Sequence, residues 1–161
     1  MKKKSTGWIV GAVVLIGVVL LLGSRNFFGG GRGGGHGIPC INSSLPLPPA
    51  YHIHPLVRVV VDGEDVAIPQ NIGSEPGCER VLHTHQESLT DGFRKIHVEP
   101  NLPQDFTLGD FFAVWGEPFS RTALLDKGAD AEYEIVVTVN SAPNEEFENL
   151  VLKDQQRIVV E

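Results

Sequence analysis

The longest apolar run of the chain lies near its start. Residues Trp8–Leu22 are apolar apart from two glycines, and no charged residue interrupts them. A helix of about 20 residues spans the roughly 30 Å hydrocarbon core of a bilayer. Because three lysines precede the run, the pattern predicts a cytoplasmic tail at residues 1–6 and a single-pass transmembrane anchor at residues 7–28.

A glycine-rich segment follows this run. Residues 29–37 read GGGRGGGHG, a composition that cannot pack a core and that behaves as flexible chain. We interpret it as a linker between the membrane anchor and an extracytoplasmic domain at residues 38–161. A cleaved signal peptide is the alternative for the apolar run, although no small-x-small cleavage site follows it.

Beyond the linker, apolar positions recur in short runs typical of strands. Leu56–Val61 is rich in β-branched residues and ends in Asp62-Gly63, a strong signal for a two-residue hairpin turn. Ala123–Ala131 has the pattern of a loop. Further strands are predicted at Val66–Ile68, Arg80–His85, Lys95–Glu99, Tyr133–Asn140, Phe147–Lys153 and Gln156–Val160.

One segment, Thr107–Trp115, has a helical pattern. Thr107 can cap its N-terminus, Asp110 stands at the third helical position, and Gly116 can end it. Aromatic residues within the segment recur at helical spacing. The fold class predicted is therefore a mainly β single domain of about seven short strands and one short helix, behind an N-terminal transmembrane helix.

Charge is divided unevenly along the 161 residues. The first 37 residues hold five basic and no acidic residues, whereas the remaining 124 hold eight basic and 20 acidic residues. A domain with this excess of negative charge does not bind nucleic acid through a basic surface. The partner that the sequence indicates is the membrane; a protein partner is left unidentified.

The two cysteines, Cys40 and Cys78, both lie in the predicted outward domain. An even number of cysteines in an oxidising compartment predicts a disulfide. The alternative is a thiolate metal ligand, because Cys78 and His83 have a spacing found in blue-copper loops. That site also needs an upstream histidine and usually an axial methionine, and the only methionine is Met1.

Five of the six histidines lie between His52 and His97. In a strand, residues i and i+2 point to one face, so each of three short motifs places two ligands side by side. Imidazole and carboxylate ligands suit copper or zinc. If the strands at 80–85 and 95–99 pair, four candidate ligands converge on one face: His83, His85, His97 and Glu99. The other two candidates, His52 and His54, come from a separate strand.

Taken together, several motifs resemble those of a group of uncharacterised, single-pass membrane-anchored prokaryotic proteins. The resemblance covers most of residues 50–117 and implies a membrane anchor, but it brings no settled activity. The connection at Gln86–Arg94 is longer than the tight Ser-Gly turn of that group, so the register of the two histidine strands stays open. The motifs are His52-x-His54-Pro55, His83-Thr84-His85, Ile96-His97-Val98-Glu99 and Thr107-Leu108-Gly109-x-Phe111-Phe112.

Two function classes remain. The first is a tethered extracytoplasmic domain that binds copper or zinc through its histidine pairs. The second is a tethered structural or protein-interaction module in which the histidines are incidental. No enzyme class is indicated, because the sequence has no Gly-x-Ser-x-Gly or His-Glu-x-x-His motif and no nucleotide-binding glycine pattern after a strand.

Overall fold

The computed structural model of the chain describes residues 1–3, 37–47, 51–87 and 91–161. Within these ranges the protein is mainly β, with strands two to six residues long, as the sequence predicts. In chain order the strands are β1 Lys2–Lys3, β2 Leu56–Val61, β3 Glu64–Val66, β4 Ser74–Glu75, β5 Cys78–Glu79, β6 Leu82–His83, β7 Arg94–Lys95, β8 His97–Val98, β9 Phe119–Ser120, β10 Ala123–Leu124, β11 Lys127–Gly128, β12 Tyr133–Glu134, β13 Val137–Val139, β14 Ala142–Asn144 and β15 Arg157–Val160.

The predicted helix is present as α1 (Leu108–Trp115), the one α-helix in the described part of the chain. Thr107 and Asp110 form a reciprocal capping box at its start, and Gly116, with φ of 86°, ends it. The helix buries one apolar face against the domain, so its sequence pattern matches its packing. That face carries Leu108, Phe111 and Phe112.

The largest sheet is built around β2. This strand pairs in parallel with β15 on one edge, and antiparallel with β3 and β7 on the other. β13 and β14 continue the sheet beyond β15. Asp62 and Gly63 have φ of 54° and 85°, the positive values that a type I′ hairpin turn needs between β2 and β3.

A smaller sheet carries the histidines. β6 pairs antiparallel with β8, so that Leu82 lies opposite Val98 and His83 opposite His97. On the other edge of β8, Ile53 forms an antiparallel bridge with Val98. The predicted pairing of the two histidine strands is therefore confirmed, and the structure supplies the register that the sequence left open.

The predicted strand Phe147–Lys153 is wrong. Residues Phe147–Asn149 form a 3₁₀ turn, and beyond it only Val151 makes an isolated bridge, to Thr107. Phe147 has a φ of 50°, a left-handed conformation that interrupts an extended strand.

Other boundaries also differ from the prediction. The strand expected at Arg80–His85 is the shorter β6, and the strand expected at Lys95–Glu99 is divided into β7 and β8. The return strand is Glu64–Val66 rather than Val66–Ile68, because a two-residue turn starts it directly after Gly63. The predicted loop at Ala123–Ala131 contains β10 and β11, and the predicted strand at Tyr133–Asn140 divides into β12 and β13. These differences shift, shorten, divide or add short strands without changing the fold class.

The predicted disulfide between Cys40 and Cys78 is confirmed, with their Cα atoms 5.3 Å apart. Backbone hydrogen bonds flank it, from Ile41 N–H to the Glu79 carbonyl (2.7 Å) and from Val81 N–H to the Pro39 carbonyl (3.0 Å). The disulfide thus fixes residues 39–41 beside the chain that leads into β6. Because its sulfur is bonded, Cys78 is not a thiolate ligand, and the blue-copper interpretation is wrong.

The predicted span at 7–28 and the linker up to residue 36 lie outside the described residues. Among the helices that the structure does describe, none is long and apolar enough to cross a membrane. The Met1 amino group donates to the Val60 carbonyl (2.8 Å), and β1 pairs with β12. A membrane crossing at 7–28 would place Met1 on the opposite side of the membrane from Val60 and β12. The crossing and these two contacts are therefore alternative arrangements of the chain. The crossing stays a prediction.

Candidate metal centre

His97 lies between two sets of possible metal ligands. Side chains alternate along strands, so the core-facing residues Leu82 and Val98 leave their neighbours on the opposite face. We call His83, His85 and His97 the inner group, and His52, His54, His97 and Glu99 the outer group. In each group one ligand atom per residue lies within 4.8 Å of the others.

The inner group has its imidazoles already aimed at one another. The ring of His83 is fully buried, and its Nδ1 lies 2.8 Å from the Arg80 carbonyl oxygen. A carbonyl only accepts, so Nδ1 carries the proton and Nε2 presents a lone pair. That Nε2 lies 3.1 Å from Nε2 of His85. Two nitrogens on one tetrahedral zinc ion are about 3.3 Å apart, so this spacing suits a shared metal.

The rings of the inner group also pack around His97. The His83 and His97 rings are stacked, with centroids 5.2 Å apart and planes inclined by 18°. The His85 ring meets His97 edge-on, with centroids 4.5 Å apart. This packing limits ring rotation, so the three imidazoles lose little rotamer freedom on binding an ion.

The outer group combines imidazoles with a carboxylate. Glu99 Oε1 lies 2.8 Å from His52 Nε2 and 3.0 Å from His97 Nδ1. The His54 ring completes the group, with its centroid 4.7 Å from that of His97 and 4.7 Å from that of His52. The side chain of His52 is 41% exposed, so this group opens to solvent.

Two further carboxylates, which the sequence did not identify as site residues, border the inner group. Glu87 Oε1 lies 3.0 Å from His97 Nε2, and Glu79 Oε1 lies 3.6 Å from His83 Nε2. Glu87 also forms an ion pair with Lys95 at 2.9 Å. The sequence could have identified Glu87, because positions 83, 85 and 87 lie on the same face of an extended chain and Glu87 continues the His-x-His pattern by one step.

Burial favours the neutral form of two imidazoles of the site, His83 and His54. Burial lowers the pKa of His83, and the Arg80 carbonyl and Glu79 offset this only in part. Burial also lowers the pKa of His54, with a further contribution from the neighbouring His97. Metal ions bind the neutral form of imidazole, so both shifts prepare these side chains for coordination.

A buried arginine holds the segment that follows His85. The Arg94 guanidinium donates to the Ile68 carbonyl from Nε (3.1 Å) and Nη2 (2.9 Å). Its Nη1 donates to the Glu87 carbonyl (3.2 Å) and, at 3.4 Å, to that of His85. One side chain therefore fixes the backbone at both ends of residues 85–87, which carry two of the side chains around His97.

The residue between His83 and His85 is fixed as well. Thr84 is fully buried, and its Oγ1 donates to the Pro69 carbonyl and accepts from Ile72 N–H, each at 3.0 Å. Gly73, with φ of 76°, lies so close to β6 that a Cβ there would collide with the Leu82 carbonyl oxygen. These contacts hold the His83-Thr84-His85 motif rigidly against the loop at 69–73.

All six residues predicted from the sequence lie together around His97, but Glu99 groups with His52 and His54 rather than with His83 and His85. Their role as metal ligands stays a prediction. Comparisons of the chain with protein-family models, with curated proteins and with solved structures find no match.

Proposed function

We propose that this domain binds a divalent transition metal ion, Cu²⁺ or Zn²⁺, with the inner group as its first site. The observation that carries the proposal is the buried His83, whose Nδ1 proton is held by the Arg80 carbonyl while Nε2 points at His85. Histidine ligands of metals almost always donate their other ring N–H to a carbonyl or carboxylate. His83 has this arrangement without any rearrangement of the chain.

The ligand chemistry favours these two ions over others. Imidazole nitrogen with some carboxylate oxygen suits Zn²⁺ and Cu²⁺, whereas Mg²⁺ and Ca²⁺ prefer sets made of oxygen alone. Cu⁺ prefers thiolate and thioether ligands, and both cysteines of this chain are tied in the disulfide.

The proposed setting is the outer surface of a membrane, where the domain would hold or pass on its metal ion. The apolar run and basic start of the sequence support an anchor with this orientation. The Cys40–Cys78 disulfide supports an oxidising compartment. The partly exposed His52 places one ligand of the outer group within reach of solvent.

A structural or protein-interaction module is the second candidate, and two observations favour it. Within the described residues every buried side-chain nitrogen and oxygen has a hydrogen-bond partner, so the buried His83 and His97 are satisfied without metal. Leu45 and Leu102 are exposed at the edge of a largely apolar cavity of about 210 Å³ that Val81 also lines. An exposed apolar patch of this kind is common at protein contacts.

Calorimetric titration of the purified full-length chain with Cu²⁺ and with Zn²⁺ separates the two candidates. Saturable binding at micromolar metal is expected, and the His83→Ala/His85→Ala double variant should lose at least about 100-fold in affinity at the inner group. His36→Ala is the matched control, because His36 belongs to neither group. His85→Ala alone is a second test, since its ring is only partly buried and its loss spares the core.

Two outcomes of this titration contradict the proposal. Unchanged affinity and stoichiometry in the double variant, with an intact β-type circular dichroism spectrum, would show that these histidines are not ligands. No saturable binding by the wild-type chain would favour the interaction module.

The membrane setting has its own test. A protease added to intact cells or spheroplasts should remove the domain at 38–161 and leave residues 1–6 protected. Recovery of a shorter soluble chain that starts near Asn26 would instead identify the apolar run as a signal peptide. Joint protection of both ends would place the domain in the cytoplasm.

A further inference from the structure

We propose that His97 bridges two metal ions, one in the inner group and one in the outer group. This inference rests on the proposed function and specifies it, because it sets the number of ions and the way they interact. Its basis is that the same imidazole belongs to both groups, while the other ligands of each group lie on different strand segments.

The two ring nitrogens of His97 face different groups. Nδ1 lies 3.0 Å from Glu99 Oε1, the oxygen that His52 Nε2 also contacts, so Nδ1 belongs to the outer group. Nε2 lies 3.0 Å from Oε1 of a different carboxylate, Glu87, whose backbone N–H donates to the His85 carbonyl (3.0 Å). Nε2 is therefore the nitrogen that remains for the inner group. The nitrogen lone pairs of one imidazole diverge, and a single ion cannot use both of them.

Each group has enough ligands for its own ion. The inner group offers three imidazole nitrogens, the set that leaves zinc one open position. The outer group offers three imidazole nitrogens and one carboxylate oxygen, which completes a tetrahedral set. Two ions on opposite nitrogens of one ring are about 6 Å apart, given metal–nitrogen bonds of about 2.0 Å.

The surroundings compensate the positive charge that two ions bring into a partly buried site. Glu99 lies within the outer group, and Glu87 and Glu79 border the inner group. When metal ions occupy both ring nitrogens, His97 gives up its one remaining N–H proton to solvent, and the resulting imidazolate carries one negative charge. Charge compensation of this kind is what a site with little access to water requires.

Copper is the probe for the test, because each isolated Cu²⁺ ion has one unpaired electron. Two Cu²⁺ ions joined through an imidazolate ring couple antiferromagnetically, and their electron paramagnetic resonance signal at low temperature is lost. We expect the full-length chain loaded with Cu²⁺ to hold two ions by elemental analysis, with a spin count far below its copper count.

Variants of the outer group make the test specific. The His52→Ala/His54→Ala variant changes two partly exposed residues, and it should bind one copper ion and regain the full signal of one spin per chain. His97→Gln should abolish coupling, and His36→Ala should leave copper content and spin count unchanged.

The outcomes separate the bridge from metal binding itself. Two copper ions with a full count of two spins would overturn the bridge. One copper ion per wild-type chain would overturn the two-ion site and leave the proposed function standing. No bound copper and no bound zinc would overturn the proposed function and this inference with it.

Discussion

The inner and outer groups use the same ring of His97 but differ in how they are built. The inner group comes from paired strands, with His83 fully buried and its tautomer set by a backbone carbonyl. In the outer group, His52 and His54 flank a single β-bridge at Ile53, and His52 is 41% exposed.

This difference shows what positions a ligand in a small β domain. Around the inner group, Arg94, Thr84 and the disulfide fix the backbone on either side of the histidines. Around the outer group, His54 N–H donates to Asp154 Oδ1 (2.8 Å) and the His54 carbonyl accepts from Gln155 N–H (3.3 Å), but no buried side chain comparable to Arg94 or Thr84 is described there. We therefore expect the inner group to be preorganised and the outer group to adjust on binding.

Removal of the disulfide should have the largest effect, both on the free energy of unfolding and on the difference between the inner and outer groups. The Cys40→Ser/Cys78→Ser variant opens a loop with a sequence separation of 38 residues. The chain-entropy model gives a loss of roughly 3–4 kcal/mol in the free energy of unfolding. Urea denaturation measures this loss, and a loss below about 1 kcal/mol would show that the loop gains little from the bond. Metal affinity at the inner group should fall more than at the outer group, because the disulfide lies beside the chain leading into β6.

Replacement of Arg94 should be the next largest effect. Arg94→Met leaves the carbonyl of the buried Ile68 without this donor, at a cost of about 1–3 kcal/mol. The carbonyl of the half-buried Glu87 loses the same donor. The inner group should lose about tenfold in Zn²⁺ affinity, as supporting residues of metal sites do. Arg94→Lys is the matched variant, since it keeps the charge and loses the planar fork. Equal losses of Zn²⁺ affinity at both groups would refute a specific role of Arg94 at the inner group.

Replacement of a carboxylate should have a smaller effect, a loss of metal affinity confined to one of the two groups. Glu99→Gln should weaken the outer ion by about tenfold and leave the inner ion unchanged, because its Oε1 contacts His52 and His97 Nδ1. Glu87→Gln is the matched variant for the inner group. Competition with a zinc chelator measures both affinities. If Glu99→Gln weakened both ions to the same extent, the two groups would not be separate sites.

Acidification of the metal-free chain should give the smallest effect, a loss of folding stability. The folded-state pKa values of His83 and His54 are lowered, so near pH 6 the unfolded chain binds more protons than the folded chain. The stability that this contributes is complete above the unfolded pKa of about 6.5 and is lost as the pH falls below it.

Urea midpoints at pH about 7.5 and about 5.5, with a chelator present, measure this loss. His83→Gln should flatten the dependence more than His54→Gln, because His83 is the more buried ring. A midpoint that rises on acidification would contradict the lowered pKa values.

Local signals in the sequence identified much of the fold. The β-branched run Leu56–Val61 and the Asp-Gly turn define β2 with the predicted bounds, because strand propensity and turn chemistry act over a few residues. The Thr107 capping box likewise marks the start of α1. The strand predicted at Phe147–Lys153 failed because its apolar residues pack without a ladder, and one left-handed residue breaks the extended chain.

The sequence by itself determined which side chains are available for the site. His-x-His and His-x-Glu spacings place ligands on one face of a strand wherever that strand lies, because the alternation is a property of the backbone. The sequence also identified the cysteine pair, since it contains only two cysteines.

Only the tertiary structure decided how these pieces meet. The bridge of Ile53 to Val98 spans 45 positions of sequence, and no local pattern specifies it. The register of β6 against β8 then places one imidazole, His97, between two sets of ligands. Burial of His83 and the Arg94 contacts follow from that packing, because they depend on residues distant in sequence that meet only when the core forms.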